Sequence, residues 1–127
     1  MTIYRGQMRT AYLRDTAIRP TEYVRWADAR RRFTQRPQDR RILAGLLESI
    51  PQHGLLKPIT IGISDRDHAV YVADGHHRAI ALMTLHVPRF PFRWYWIKNS
   101  GVRMEAEPFP YHLVADSRVT PDTVTRP

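Results

Sequence analysis

The stretch that decides the fold is residues 70–83, with the sequence Val-Tyr-Val-Ala-Asp-Gly-His-His-Arg-Ala-Ile-Ala-Leu-Met. Its opening four residues favour a short buried strand, because β-branched and aromatic side chains suit the pleated surface of a sheet. Gly75 predicts a tight turn, since glycine adopts backbone angles that a side chain forbids. From Arg78 onward the residues favour a helix, with Leu85 continuing its apolar face. The stretch therefore predicts a strand, a turn and a helix in succession.

The start of that helix is chemically suited to an anion. The first backbone N–H groups of a helix have no partner within it, and they carry the positive end of the helix dipole. Gly75 lets an anion approach the backbone, while His76, His77 and Arg78 add side-chain donors. These features predict a phosphate-binding turn. A plain strand–turn–helix with solvated histidine and arginine side chains is the alternative that the pattern leaves open.

Composition narrows the class of protein. A chain of 127 residues predicts one domain with a modest core. The absence of cysteine excludes disulfides, thiolate metal sites and a cysteine nucleophile. A formal net charge of +8 suggests nucleic acid or another polyanion as a partner, although a basic surface that only faces solvent would have the same charge. Because the sequence has neither a long apolar run nor the apolar core of a signal peptide, we expect a cytoplasmic protein that does not enter membranes.

The chain divides into three parts. We expect a basic and aromatic N-terminal segment packed on the domain over residues 1–37, a core over 38–100, and a C-terminal arm or tail over 101–127. Within the core, apolar spacing predicts an amphipathic helix over 39–50. Three strands are predicted in the core, at residues 59–63, 69–73 and 90–97.

The N-terminal segment gives weaker patterns. A short strand is predicted either at residues 3–4 or at 11–13, and Thr21 is a candidate cap for a helix with Val24, Ala27 and Phe33 on its apolar face. Basic residues interleave with aromatic ones here, which is typical of nucleic-acid surfaces. The candidates for nucleic-acid binding are Arg25, Arg30, Arg31 and Arg32. A solvated helix face explains the same residues equally well.

Two blocks in this order resemble the ParB/sulfiredoxin-like superfamily. The first is Leu-Glu-Ser-Ile-Pro-Gln-His-Gly-Leu-Leu-Lys-Pro-Ile at residues 47–59, and the second is Asp-Gly-His-His-Arg-Ala-Ile-Ala at 74–81. Two strands are predicted between them, at the separation that the superfamily has. The resemblance covers residues 43–97 and implies an α/β (α+β) fold, with a small mixed sheet flanked by helices.

The resemblance also implies a ligand. The second block is similar to a nucleotide-phosphate cradle, and the loop of the first block lies over the same pocket in the superfamily. Position by position, it implies phosphate contacts by Gly75, His76, His77 and Arg78. The facing wall would consist of His53, Gly54, Leu55, Lys57 and Pro58. A nucleoside triphosphate such as CTP or ATP is the ligand that this resemblance suggests.

The departures from the superfamily set limits. His76 stands where partition ParB proteins have glutamate and where sulfiredoxin has its reactive cysteine, so sulfiredoxin activity is excluded. Too few residues follow Ile97 for the helix-turn-helix and dimerisation domains of ParB, and we therefore do not expect centromere binding. The Asp-Gly-His-His-Arg form is similar to small phage-type ParB-like nuclease proteins and to ParB-fold kinases of free serine.

The candidate catalytic residues are His77, Arg78 and Glu48. His77 could move a proton and Arg78 could clamp a phosphate, while Glu48 is either a general base or a solvated charge. Asp74 could hold Mg²⁺ beside the phosphates or simply cap the turn. The leading hypothesis is nucleotide or nucleic-acid phosphate binding with phosphoryl or phosphodiester hydrolysis. A non-catalytic DNA-binding or regulatory module, a small-molecule kinase and a homodimer all stay open.

Overall fold

The computed structural model describes residues 5–98, 103–104 and 108–114. Within these ranges the chain forms six strands, three α-helices and two short 3-10 turns, at Thr10–Tyr12 and Tyr111–Leu113. In chain order the elements are β1 (Arg5–Arg9), β2 (Ile18–Pro20), α1 (Trp26–Gln35), α2 (Pro37–His53), β3 (Ile59–Ser64), β4 (Val70–Asp74), α3 (His76–Thr84), β5 (Arg89–Ile97) and β6 (Arg103–Met104).

The strands form one mixed sheet in the order β1-β5-β3-β4-β2, and β6 pairs with the end of β5. β3 runs parallel to β5 and antiparallel to β4, while β2 runs parallel to β4 and β1 antiparallel to β5. The predicted α/β (α+β) architecture is therefore confirmed. The carboxyl end of β4 leads through Gly75 directly into α3, as the sequence of residues 70–83 predicts.

One hydrophobic core joins the helices to one face of the sheet. The register sets Ile61 beside both Trp94 and Val72, so apolar side chains of three neighbouring strands share that face. Buried residues of all three helices belong to the same cluster. The largest members from the sheet are Met8, Ile18, Ile59, Ile61, Ile63, Phe90, Phe92 and Trp94. This core fixes the position of α3 against α1 and α2, where the candidate site lies.

The predicted start of the first helix is wrong. α1 begins at Trp26, five residues after Thr21, and Val24 is 81% exposed. Thr21 is instead held to the sheet, because its hydroxyl donates to the carbonyl of Val72. The first turn of α1 is capped by a residue that is distant in the sequence. Asp15 Oδ1 accepts a hydrogen bond from the backbone N–H of Trp26 at 2.7 Å. A local pattern could not reveal either contact.

The predicted strand at residues 11–13 is also wrong. Leu13 donates its backbone N–H to the carbonyl of Thr10 at 2.9 Å, which closes a 3-10 turn there. The first strand is β1, which pairs with β5 along its whole length. The alternative strand at residues 3–4 lies outside the described residues. The N-terminal segment thus supplies β1 and β2 to the sheet.

α2 is longer than its apolar spacing predicts. Pro37 opens it, because proline needs no N–H partner in the first turn, and Pro51 lies inside its last turn. Gly54 ends it with a positive φ of 71°, donating its N–H to the carbonyl of Ile50 at 2.8 Å. Among the helices in the described ranges, none combines the length and the apolar character that a membrane span requires.

Candidate functional site

A cleft opens where the turn between β4 and α3 faces the junction of α1 and α2. Its volume is about 660 Å³. One wall is the turn itself, and the other comes from α1, α2 and the segment before α1. The lining residues are Glu22, Tyr23, Phe33, Arg36, Asp39, Ile42, Gly45, Leu46, Lys57, Asp74, Gly75, His76, His77 and Arg78.

Gly75 is required at the turn for two reasons. Its φ of 112° and ψ of 32° lie in the left-handed region that favours glycine. A Cβ atom at Gly75 would also lie 3.0 Å from Nη2 of Arg78, so the missing side chain makes room for the guanidinium. The first bond within the helix runs from the N–H of Ala79 to the carbonyl of Gly75, at 2.8 Å. The N–H groups of the three residues before Ala79 are the ones that a helix leaves for another partner.

Arg78 ties the turn to the loop before β3. Its Nη1 donates to the carbonyl oxygens of Lys57 and Pro58, at 3.2 Å and 3.0 Å. Its Nη2 contacts Asp74 Oδ2 at 3.3 Å, and the side chain is only 12% exposed. In this structure the guanidinium therefore forms its hydrogen bonds with other groups of the protein. One consequence is that Lys57 is positioned at the cleft.

His77 forms a pair with a carboxylate from α2. Its Nε2 lies 2.9 Å from Oδ1 of Asp39, and its ring stacks on Phe33 with the centroids 4.1 Å apart and the planes 8° from parallel. A carboxylate at this distance favours the tautomer with the proton on Nε2, which leaves the lone pair on Nδ1. An oriented imidazole of this kind can act as a general base.

His76 holds the segment before α1 in place. Its Nε2 accepts the backbone N–H of Thr21 at 2.9 Å, and its ring packs near Tyr23 and Trp26. Burial lowers the pKa of His76, although the carboxylates of Glu22 and Asp74 act in the opposite direction. Only the deprotonated Nε2 can accept a hydrogen bond, so the lowered pKa and the contact with Thr21 agree. This contact keeps Glu22 and Tyr23 at the cleft.

Asp74 is the candidate metal ligand, and it lies mostly exposed at the cleft. No group of three or more histidine or acidic side chains in the described part of the chain could hold a metal ion by itself. Mg²⁺, however, is commonly held by one or two carboxylates together with phosphate oxygens of a substrate. Asp74 therefore fits a magnesium ion only in the presence of a phosphorylated ligand.

Several predicted site residues lie elsewhere. His53 is exposed at the end of α2, and Gly54 lines a separate apolar pocket of about 310 Å³. Pro58 contacts the site through its backbone carbonyl oxygen, which accepts a hydrogen bond from Arg78. Leu55 lines that second pocket as well. Glu48 is exposed on α2 and does not line the cleft. The roles predicted for these residues stay predictions.

The predicted nucleic-acid residues lie on or next to α1. Arg25, Arg30, Arg31 and Arg32 are all exposed. Arg31 forms an ion pair with Asp28 at 2.9 Å, and Arg25 lies 3.9 Å from the same carboxylate. Arg36, which the sequence did not single out, is the arginine of this region that lines the cleft.

The residues that sequence reasoning missed come from α1 and α2. Asp39 lies in the first turn of a helix, where acidic residues are common, so the sequence gives no indication that it pairs with His77, 38 positions away. Gly45 did give a signal, because glycine inside a helical pattern is unfavourable and commonly has a packing or functional reason. The other missed residues of the cleft are Glu22, Tyr23, Phe33, Arg36, Ile42 and Leu46.

Solved structures resemble this chain in fold. Sulfiredoxin from Arabidopsis thaliana matches with a TM-score of 0.51 and 21% identity, over 76% of this chain and 90% of that one. ParB from Caulobacter crescentus, in complex with CTP-gamma-S, matches with a TM-score of 0.50 and 18% identity, over 77% of this chain and 47% of that one. A conserved hypothetical protein from Pyrococcus furiosus matches with a TM-score of 0.48 and 21% identity, over 74% of this chain and 33% of that one.

Sequence comparison adds no closer relative. No protein-family model matches the chain, and no curated protein matches its sequence. Sulfiredoxin and ParB each match about three quarters of this chain at TM-scores of 0.51 and 0.50. The chain therefore has the ParB/sulfiredoxin-like fold.

Proposed function

We propose that the cleft binds a nucleotide, with its phosphates at the turn between β4 and α3. The observation that carries this proposal is the arrangement of the turn. His76, His77 and Arg78 each engage another part of the protein, so the backbone of the turn is held rigidly. Rigid N–H groups at a helix start, next to glycine, suit a phosphate. Lys57 and Arg36 add positive charge to the same cleft.

The rest of the cleft suits the other half of a nucleotide. Tyr23, Phe33, Ile42 and Leu46 give it an apolar and partly aromatic wall. A ligand with a planar apolar group and an anionic group would match both kinds of surface. The ParB structure of the same fold holds CTP-gamma-S, so CTP is the first nucleotide to test.

The pair of His77 and Asp39 supports hydrolysis as the reaction. In this proposal His77 Nδ1 takes a proton from a water molecule, whose oxygen attacks phosphorus while the bond to the leaving phosphate oxygen breaks. Asp39 accepts from Nε2–H and stabilises the imidazolium that forms. Asp74 is the carboxylate that would hold Mg²⁺ together with the ligand's phosphate oxygens, and the ion would neutralise charge there. Arg78 acts by positioning Lys57 and the turn.

The second candidate function is nucleic-acid binding without catalysis. It is favoured by the exposed arginines on and next to α1, which are Arg25, Arg30, Arg31 and Arg32. A surface of this kind would bind the phosphate backbone in a salt-dependent manner. The two candidates differ in the residues that carry binding, which makes them separable.

Calorimetric titration tests the leading proposal. The purified chain is titrated with CTP, ATP and ADP, with and without Mg²⁺, and the Lys57→Gln variant is measured beside it. Removal of one charge next to the phosphates is expected to weaken binding about tenfold or more, because charge-assisted contacts are among the strongest. Lys98→Gln is the matched control, since Lys98 pairs with Asp65 and does not line the cleft.

Two results would contradict the proposal. One is the absence of binding by every nucleotide while duplex DNA still binds and is released by salt, which would favour the second candidate. The other is equal loss of affinity in the Lys57 and Lys98 variants, because general charge would then explain binding. Phosphate release in the presence of Mg²⁺ tests the hydrolysis step separately.

A further inference from the structure

The sheet has a second face, turned away from the hydrophobic core, and a row of residues crosses it. Tyr71 belongs to this face, because the two valines beside it on β4 are buried in the core and side chains alternate along a strand. The register places Tyr71 between Arg19 of β2 and Gly62 of β3. Gly62 lies in turn beside Tyr95 of β5. We call Arg19, Tyr71, Gly62 and Tyr95 the transverse row.

The ring of Tyr71 lies across the sheet over Gly62. A Cβ atom at Gly62 would come within 3.1 Å of Cε2 and 3.2 Å of Cζ of that ring, so the glycine leaves room for it. An aromatic side chain that covers a glycine of the neighbouring strand is held by a cross-strand contact. Because Tyr71 is only half-buried, part of this ring also faces solvent. The second face therefore presents a supported aromatic ring beside the exposed Arg19.

Positive charge accompanies the transverse row. Arg89 and Arg93 share the face of β5 on which Tyr95 lies, since they alternate with buried aromatic residues. Cζ of Arg93 lies 5.1 Å from the centroid of the Tyr95 ring, which is a cation–π contact. Arg9 of β1 pairs in register with Arg89. Arginine side chains on this face suit a polyanion, because the guanidinium group matches the geometry of a phosphate.

A groove of about 420 Å³ lies at one end of the transverse row. It is lined by Arg19 and Tyr71 of the row and by Tyr23 and Val24 of the segment before α1. Tyr23 also lines the cleft, so the groove and the cleft adjoin. The groove thus combines a cation with aromatic and apolar side chains. A nucleotide with an unpaired base needs both kinds of contact, one for its phosphate and one for its base.

We propose that the groove and the transverse row bind single-stranded nucleic acid. An unpaired base lies against the ring of Tyr71, and the phosphate next to it lies at Arg19. A duplex keeps its bases stacked inside the helix, whereas a single strand can place them on aromatic side chains. These residues differ from the arginines of α1 that carry the second candidate function. Binding here does not depend on whether the cleft holds a nucleotide.

Fluorescence anisotropy with a labelled oligothymidylate of about twelve nucleotides tests the proposal. Tyr71→Leu is expected to weaken binding about tenfold at every salt concentration, because leucine cannot stack on a base. Tyr71→Phe keeps the ring and is expected to bind as the wild type does. Arg19→Gln removes one phosphate contact, so the slope of log affinity against log salt concentration should become shallower by about 0.7. An oligouridylate of equal length, measured in parallel, distinguishes DNA from RNA as the preferred strand.

Two controls separate this surface from general attraction by charge. Arg32→Gln removes the same charge from an exposed position of α1, and it is expected to leave the affinity for oligothymidylate and its salt dependence unchanged. Duplex DNA of the same length is the second control. Any binding of duplex should be equal in the wild type and in Tyr71→Leu, because paired bases do not reach the ring.

Three results would overturn the proposal. The first is wild-type affinity in a Tyr71→Leu variant that thermal melting shows to be folded. The second is an equal loss of affinity in Arg19→Gln and Arg32→Gln, because charge alone would then explain binding. The third comes from the wild type, cross-linked by ultraviolet light to an iodouracil-substituted single strand. A cross-link at Tyr71 or Tyr23 is expected, and cross-links confined to residues 25–36 would overturn the proposal even if Tyr71→Leu fails to fold.

Discussion

The two walls of the cleft are built in opposite ways. On the turn before α3, each prominent side chain is engaged by the protein: His76 by Thr21, His77 by Asp39, and Arg78 by two carbonyl groups. On the face of α2 that Ile42, Gly45 and Leu46 share, Gly45 has no described neighbour at its Cβ position and Ile42 is exposed. The turn is therefore held by contacts with the rest of the protein, whereas this face of α2 offers mainly apolar area.

The difference bears on how each wall can be altered. A substitution in the turn removes a contact within the protein, so it is expected to change stability, and under the proposed function it would change nucleotide binding as well. A substitution at Gly45 on this face of α2 removes no such contact, so under the proposed function it is expected to change binding while the fold stays intact. Charged groups need prepared partners because their solvation is expensive to lose, whereas apolar groups need only a close surface.

The largest expected effect is that of Arg78→Ala. The variant removes donors from the carbonyl groups of Lys57 and Pro58 around a mostly buried guanidinium, and we expect a loss of about 2–4 kcal/mol in the free energy of unfolding. Urea denaturation measures it. Arg32→Ala is the control, because Arg32 is exposed on α1 and should change stability by less than about 0.5 kcal/mol. Similar losses in both variants would show that Arg78 does not tie the turn to the loop.

The pair of His77 and Asp39 is expected to have a smaller effect on stability. In a double-mutant cycle of His77→Gln and Asp39→Asn, we expect a coupling free energy of about 1 kcal/mol, because the two side chains contact directly. Urea denaturation of the wild type and three variants gives the value. Additive effects within experimental error would contradict a paired imidazole in the wall of the cleft.

His76 is expected to make stability depend on pH. Its pKa is lowered in the folded chain by burial, so the unfolded chain binds more protons below the ordinary histidine pKa of about 6.5. The contribution of His76 is therefore complete above that pH and is lost as the pH falls through the folded pKa. Thermal melts at several pH values should show a steeper loss in acid for the wild type than for His76→Gln. Identical slopes would contradict this.

The smallest effect is expected for Glu48→Gln. Glu48 is exposed and lies outside the residues that line the cleft, so stability should change by less than about 0.5 kcal/mol. Any phosphate release by the wild type should persist in this variant and fall in Asp39→Asn. If phosphate release instead fell in Glu48→Gln and persisted in Asp39→Asn, Glu48 would be the general base, and His77 and Asp39 would not have that role.

The local sequence was sufficient to predict those elements whose conformation depends on residues nearby in the chain. Residues 70–83 predict β4, the turn at Gly75 and α3, and alternating isoleucines predict β3. The start of α1 was not predictable, because Asp15 caps it from 11 positions away and His76 holds Thr21 from 55 positions away. These contacts depend on tertiary structure, about which the spacing of apolar residues gives no information.

The candidate site was predictable to the same limited extent. The turn that forms one wall is a contiguous motif, so its residues were all identified from the sequence. Asp39 and Phe33 reach the cleft because α1 and α2 pack against α3, and their types are unremarkable on a helix. Tyr23 reaches it in the segment before α1, which His76 holds through Thr21. Gly45 is the exception, since an interior helical glycine is visible in the sequence as a departure from propensity.

The order of the strands has a consequence for how the chain is synthesised. Both β1 and β2 lie at the ends of the strand order β1-β5-β3-β4-β2, and both come from the first twenty residues. These residues leave the ribosome before their partner strands β4 and β5, which end at Asp74 and Ile97. Until those partners emerge, the early strands present unsatisfied backbone groups that can pair with other chains. Nascent chains stalled before residue 97 should therefore be the species most prone to aggregate.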